Sequence, residues 1–237
     1  MPSSTIANIR AQVRELSDLR VAEHSQRFFK TGPGEYGEGD TFVGIRVPAL
    51  RRLAQQHRDA SLRVAGRLLQ SPIHEERLLA LFVLVKRYER GNATARKEVF
   101  DLYLRNMRFV NNWDLVDSSA HKIIGDFLRN RSRRLLRRLA KSDVLWERRI
   151  AIISTMAYID DGEFGDTLEI AKELLRDEED LIHKAVGWML REVGNRDQKV
   201  EEAFLKKHYK VMPRTMLRYA IEKLPKTKRR RFLTGTL

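Results

Sequence analysis

Asp117 is the one acidic residue among cations at matching positions of five short segments, each of which follows a turn signal. The second residues of these segments recur at intervals of 40, 32, 35 and 34 positions, and they are Arg77, Asp117, Arg149, Lys184 and Arg218. Four aligned cations suit a surface that follows a phosphate backbone. A carboxylate in the same column would repel phosphate, so Asp117 needs a purpose of its own.

Two tryptophans lie one helical turn from this column. Trp113 precedes Asp117 by four residues, and Trp188 follows Lys184 by four, with Arg191 behind it. This spacing puts each pair on one face of a helix. A carboxylate beside an indole π-face can stabilise positive charge. Taken together, the two tryptophans, the acid and the aligned cations indicate a chemical site.

Each of these residues also has a structural interpretation. A tryptophan commonly anchors a hydrophobic core, and this interpretation stays open for Trp113 and Trp188. Asp117 could be a solvated or helix-capping acid. Arg149 could pair with Glu147 or Asp143 at the surface.

The elements that must position these residues are predicted to be helices. Residues 78–85 are apolar on all sides, as in a helix buried between neighbours, whereas 134–140 and 170–175 place apolar residues at i, i+3 and i+4. Proline stands where helical patterns begin or end, at Pro48, Pro72, Pro213 and Pro225. No alternating pattern predicts a strand, and residues 31–40 are a glycine-rich loop.

The recurring segments predict a repeat architecture. Helix pairs of the HEAT type recur at about 40 residues or somewhat fewer, and they stack so that one helix of each pair lines a concave face. We therefore expect an all-α HEAT-like superhelix, an α-solenoid with a basic concave face, forming a single domain over residues 1–237. A generic helical bundle is the alternative, because the self-similarity is weak.

Charge indicates the class of partner. The chain has 46 Lys and Arg against 32 Asp and Glu, a formal charge of +14. An excess of this size favours a polyanion. The alternatives are a merely basic soluble protein and an anionic membrane, but the cations are not concentrated in one amphipathic helix. With no cysteine, no secretion signal and no long apolar run, we expect a cytoplasmic protein, associated with the nucleoid when bound to DNA.

Three further motifs carry less information. The GxGxxG at residues 32–37 lacks the preceding strand and following helix that a phosphate-binding loop requires. His74-Glu75-Glu76-Arg77-Leu78 begins like a zinc motif but has leucine where the second histidine must stand, so we predict no metal and no cofactor. The basic run at 226–231 is either a C-terminal cap or a solvated tail.

Longer motifs resemble one family. The segments are Phe42–Pro48, Asn112–Asp117, Ser142–Arg149 and Lys184–Glu192. In this order and spacing they resemble the AlkD-like DNA alkylation-repair glycosylases, and the resemblance runs from about Arg27 to about Ile221.

The resemblance implies a glycosylase that removes cationic alkylated purines such as 3-methyladenine and 7-methylguanine from double-stranded DNA. Because this chemistry needs no Schiff-base lysine, we expect a monofunctional enzyme, and we expect a monomer because repeat proteins of this size are often monomeric. It implies that Asp117 is the catalytic carboxylate, that Trp113 and Trp188 contact the deoxyribose, and that Arg149 lies near the lesion's phosphate. Lys184 and Arg191 are expected to contact the DNA backbone.

Other expected DNA contacts are Arg46, within the upstream motif, the column residues Arg77 and Arg218, and Phe28. Phe28 takes a position that is tyrosine in the type member of the family, and the loop at 31–40 is longer than in that member. Two alternatives remain: a HEAT-repeat DNA-binding protein without catalysis, and a scaffold for acidic proteins.

Overall fold

The polypeptide is helical along most of its length in the computed structural model, which describes residues 4–236. Apart from one isolated parallel bridge between Thr41 and Ile73, this part of the chain has no β-structure. The all-α prediction is therefore confirmed for it. The chain divides into two compact units, Met1–Ser119 and Ala120–Leu237. No helix within residues 4–236 has the length and apolar character needed to cross a bilayer.

The first unit contains seven α-helices and a 3-10 turn at Met107–Phe109 among its described residues. The α-helices are α1 (Ile6–Glu15), α2 (Leu19–Phe28), α3 (Val47–Gln56), α4 (Leu62–Leu69), α5 (His74–Arg90), α6 (Ala93–Arg105) and α7 (Trp113–Asp117).

The second unit begins with a π-helical turn at His121–Gly125 and includes 3-10 turns at Leu174–Arg176 and Ile221–Lys223. Its α-helices are α8 (Asp126–Leu128), α9 (Arg134–Leu139), α10 (Leu145–Ser154), α11 (Met156–Ile159), α12 (Gly165–Glu173), α13 (Asp180–Arg196), α14 (Gln198–His208), α15 (Arg214–Ala220) and α16 (Lys226–Thr234).

Helix α5 forms the centre of the first unit, packing against α3, α4 and α6. Every residue from His74 to Val85 is buried, which explains why residues 78–85 are apolar on all sides. Burying each of its leucines contributes about 1.5–3 kcal/mol. Replacing fully buried Leu79 or Leu81 by alanine would cost about 2–5 kcal/mol, since a cavity would remain.

The predicted helix boundaries are largely confirmed. Pro48 stands in the first turn of α3, and Pro213 and Pro225 directly precede α15 and α16. Proline suits these places because the first N–H groups of a helix have no intrahelical partner. The basic run at 226–231 is part of α16, which buries Phe232, so this run is a terminal helix and not a solvated tail.

In each unit an arginine, buried in the first and half-buried in the second, donates hydrogen bonds to the chain that leads into its own helix. In α5, Arg77 donates to the carbonyls of Ser71 and Pro72. In α10, Arg148 donates in the same way to Ser142 and Asp143, and it also pairs with Asp177. Both arginines are the fourth residue of their helix. Because Arg77 and Arg148 form the same kind of hydrogen bonds, they are equivalent positions of α5 and α10.

Candidate functional site

Helix α7 carries Trp113 at its first residue and Asp117 at its last. Its N-cap is Asn112, a fully buried residue whose side-chain oxygen accepts from the Trp113 N–H at 2.8 Å. Asp114 accepts from the Leu115 N–H at 2.9 Å and so satisfies another amide of the first turn. Trp113 and Asp117 are both half-buried, so neither is withdrawn into the core.

Trp113 is part of a cluster of aromatic rings. Its indole stacks on Phe29, with ring centroids 5.1 Å apart and planes 15° apart. Phe29 in turn stacks on Phe42 at 4.9 Å, and Phe42 stacks on the imidazole of His74 at 4.4 Å. Phe28 meets Trp113 edge-on at 5.9 Å and remains 57% exposed. Phe28 and part of Trp113 are thus exposed to solvent, while Phe42 and His74 beneath them are buried.

The carboxylate of Asp117 lies close to a buried phenol. Burial raises the pKa of Tyr103, and the negative charge of Asp117 raises it further. The Tyr103 hydroxyl forms a 3.1 Å hydrogen bond with the Ser119 hydroxyl, which lowers the pKa of Tyr103 but is outweighed by burial and Asp117.

A cavity of about 580 Å³ lies in the first unit next to the aromatic cluster. Phe29, Phe42 and Leu50 contribute to its apolar wall, and the exposed cations Arg20 and Arg46 lie at its edge. Neither Trp113 nor Asp117 lines it, although Asp114 does. The predicted catalytic pair is therefore outside this cavity.

In the second unit, α13 aligns Lys184, Trp188 and Arg191 on one face, because they are four and then three residues apart. Each has an acidic partner. Lys184 pairs with Asp180 at 2.7 Å, the Trp188 indole N–H donates to Glu192 at 3.0 Å, and Arg191 pairs with Glu222.

The other two predicted residues of this unit differ in exposure. Arg149 is buried and donates to the backbone carbonyl of Leu181. Arg218, on α15, is exposed.

Residues 9–224 match the model of one protein family, described as DNA alkylation repair enzymes. This chain belongs to that family. The match covers most of the chain, including both units, and it makes this protein a member of a group of DNA repair enzymes whose substrate is DNA. A search among curated proteins finds no match.

The fold has a counterpart among solved structures. A predicted DNA alkylation repair enzyme from Enterococcus faecalis aligns with a TM-score of 0.68 and 18% sequence identity, over 89% of this chain and 97% of that one. At this identity the likeness bears on the fold. The helical order of this family member is thus shared with a second chain along almost its whole length.

The predicted phosphate contact at Arg77 does not fit the structure. The side chain is only 4% exposed and is bound to Asp40 at 2.5 Å. The fault lies in the repeat register: Asp117, Arg149, Lys184 and Arg218 are each the fifth residue of their helix, whereas Arg77 is the fourth. The fifth residue of α5 is Leu78, which is buried. We therefore exclude Arg77 from the proposed DNA contacts.

The remaining predicted residues of the first unit are accessible. Arg46 is exposed at the N-cap of α3, and Phe28 is exposed at the end of α2.

Sequence reasoning missed a network of buried charges behind the aromatic cluster. His74 bonds to Asp40 at 3.0 Å and to Asp114 at 2.8 Å, while Arg77 and Asn112 also donate to Asp40. The rejected zinc motif contains His74, and the glycine-rich loop ends at Asp40. With both ring nitrogens occupied by carboxylates, His74 is not available as a metal ligand.

Proposed function

We propose that this protein is a DNA glycosylase that hydrolyses the N-glycosidic bond of cationic alkylated purines, such as 3-methyladenine and 7-methylguanine, in duplex DNA. The observation that carries the proposal is the pair on α7. Asp117 follows Trp113 by one helical turn, and both keep solvent exposure in a chain from a DNA alkylation repair family.

The substrate's own charge explains why one carboxylate is enough. A purine alkylated at N3 or N7 is already cationic, so it leaves as a neutral base without a general acid. As the bond from C1′ to the purine nitrogen breaks, its electron pair stays with the purine and positive charge develops on the deoxyribose. Water adds to C1′ and loses a proton to solvent. The products are the free base and an abasic site.

Asp117 and Trp113 act on the sugar in this scheme. The carboxylate stabilises the oxocarbenium-like transition state and orients the attacking water, and the indole π-face favours the same cation. One such charge interaction supplies about 3–4 kcal/mol. No lysine Schiff base takes part, so we propose that the enzyme leaves the DNA strand intact.

Phe28 is proposed as a sugar or base contact beside Trp113. It presents an exposed ring without a hydroxyl, so its contribution is packing and stacking rather than a hydrogen bond. The base is proposed to remain largely in the stack.

Binding to the duplex is proposed to rest on phosphate contacts by a HEAT-like basic surface. The proposed contacts are Arg46 in the first unit and Lys184, Arg191 and Arg218 in the second, whereas Arg149 is buried and is left out on the same ground as Arg77. Arg46 and Arg218 are exposed, which suits a phosphate contact. The formal charge of +14 would attract DNA at long range.

The test is release of free base from methylated duplex by the purified protein, with unmethylated duplex of the same sequence as control. We expect 3-methyladenine or 7-methylguanine to appear in solution, leaving abasic sites that break only on heating or with alkali. Tight binding to the methylated duplex without base release would instead indicate a DNA-binding protein without catalysis.

A further inference from the structure

His74 occupies an unusual place for a histidine in the first unit. It is the first residue of α5, its side chain is 2% exposed, and it lies between the carboxylates of Asp40 and Asp114. Nδ1 faces Asp40 at 3.0 Å and Nε2 faces Asp114 at 2.8 Å. Two charged groups from distant parts of the chain are thus joined by one ring.

This geometry requires a doubly protonated ring. A neutral imidazole has one N–H and one lone pair, so one of its nitrogens would face a carboxylate without a proton between them. The charged groups facing His74 are Asp40 from the glycine-rich loop, Asp114 from α7 and Arg77 from α5 itself. Burial opposes the charge on His74, but Asp114 and Asp40 outweigh burial and Arg77, and raise the pKa of His74 to about 9.

Both carboxylates are tied to the start of α7. Asp114 belongs to its first turn, and its other oxygen accepts from the Leu115 N–H. Asp40 accepts from the side chain of Asn112, the N-cap of the same helix, at 3.2 Å. A short helix of five residues has few internal hydrogen bonds of its own, so these ties determine where it sits.

A second connection runs through the rings. The imidazole stacks on Phe42 and lies 5.1 Å from Phe29, on which the Trp113 indole stacks. An imidazolium against aromatic faces gains from their π-electrons. His74 therefore contacts Asp40 and Asp114, which bind the start of α7, and also lies against Phe29, on which the Trp113 indole stacks.

We propose that His74 is the positioning residue of the active site: bridging Asp40 and Asp114, it holds α7 so that Trp113 and Asp117 keep their working geometry. The catalytic part of this inference rests on the proposed glycosylase function, whereas the structural part does not. Because the bridge needs both protons, the site is coupled to pH. It is complete at neutral pH, and above about pH 9 the Asp114 or Asp40 bond is lost.

The structural part is tested without DNA on the full-length protein. The indole N–H resonances of the three tryptophans are followed by ¹H–¹⁵N NMR from neutral pH upward, and the Trp113 signal is assigned by its loss in Trp113→Phe. We expect the Trp113 signal to shift with a midpoint near the pKa of His74, about 9. In His74→Gln this transition should be absent.

The matched control is His57→Gln. His57 is equally buried in the same unit, but its partners are Ser4 and Gln12, neither of which is a carboxylate. The Trp113 transition should persist in this variant. If His74→Gln fails to fold, Asp114→Asn replaces it: removing that charge should move the midpoint to lower pH, because Asp114 is the largest influence raising the pKa of His74.

The catalytic part is tested by the rate of base release per enzyme at saturating methylated DNA. His74→Gln should lower kcat by about 10- to 100-fold while Kd for DNA changes little, since small displacements of a reacting group have effects of this size. His74→Lys, which can donate to both carboxylates, should recover most of kcat and extend activity to higher pH.

The positioning role would be overturned if the Trp113 signal did not shift with pH in the wild type, or if it shifted equally in His74→Gln. This conclusion would hold at any level of base-release activity. Absence of base release by the wild type would reject the glycosylase proposal and leave the NMR result standing.

Discussion

Glu201 on α14 should make the protein less stable as pH rises. Its carboxyl is 2% exposed, and Oε1 has no hydrogen-bond partner within residues 4–236. Burial raises the pKa of Glu201 to about 8, with Glu202 adding to the shift. Glu201→Gln removes the ionisable proton while keeping the shape of the side chain.

The size of the effect follows from proton linkage. Because the folded-state pKa lies above the ordinary value of 4.5, the protonated carboxyl contributes stability that is full below pH 4.5 and is lost as pH rises through about 8. Each pKa unit corresponds to about 1.4 kcal/mol, so the loss is about 3 kcal/mol by pH 7 and about 5 kcal/mol above pH 8. Glutamine carries no such dependence.

Urea unfolding of wild type and Glu201→Gln at pH 5, 7 and 8.5 measures this. The variant's advantage in free energy of unfolding should grow steadily across the series. Glu202→Gln is the control: Lys228 holds the pKa of Glu202 below its ordinary value, so that variant should lose up to about 1 kcal/mol above pH 5. A constant difference between wild type and Glu201→Gln would refute the argument.

Two other substitutions test packing and DNA contact. Gly187→Ala should lower the free energy of unfolding in urea by about 1–3 kcal/mol, because its Cβ would lie 2.5 Å from the Met216 carbonyl oxygen and from the Tyr219 Cβ. Gly165→Ala is the control: its Cβ would meet no atom within 4 Å, so stability should be unchanged or slightly raised. Arg218→Ala should reduce the slope of log K for DNA against log salt by about 1, and an unchanged slope would remove Arg218 from the proposed contacts.

The helical secondary structure was largely predictable because helical periodicity is a local signal. The apolar run at 78–85 and the prolines before α15 and α16 correspond to observed features. The placement of Trp113 and Asp117 on one helix followed from their spacing of four residues for the same reason.

The buried charges were not predictable in this way. An arginine that binds the chain leading into its own helix, such as Arg77, has the same residue type as an arginine that binds phosphate. The two can also occupy neighbouring positions of a helix, so an error of one residue in the repeat register confuses them. The partnership of Asp40, His74 and Asp114 joins residues that are 34 and 40 positions apart. Only the packing of α5 against α7 and against the glycine-rich loop at 31–40 brings them together. No local pattern in the sequence encodes that packing.

The central claim is that Asp117 stabilises a deoxyribose that becomes cationic as the purine leaves. The direct measurement is the single-turnover rate of 7-methylguanine release by Asp117→Asn, compared with Asp101→Asn, a half-buried acid of α6 paired with Lys97. We predict a loss of about 100- to 1000-fold in Asp117→Asn with DNA affinity kept, and no loss in the control. Release at the wild-type rate by Asp117→Asn would contradict the mechanism.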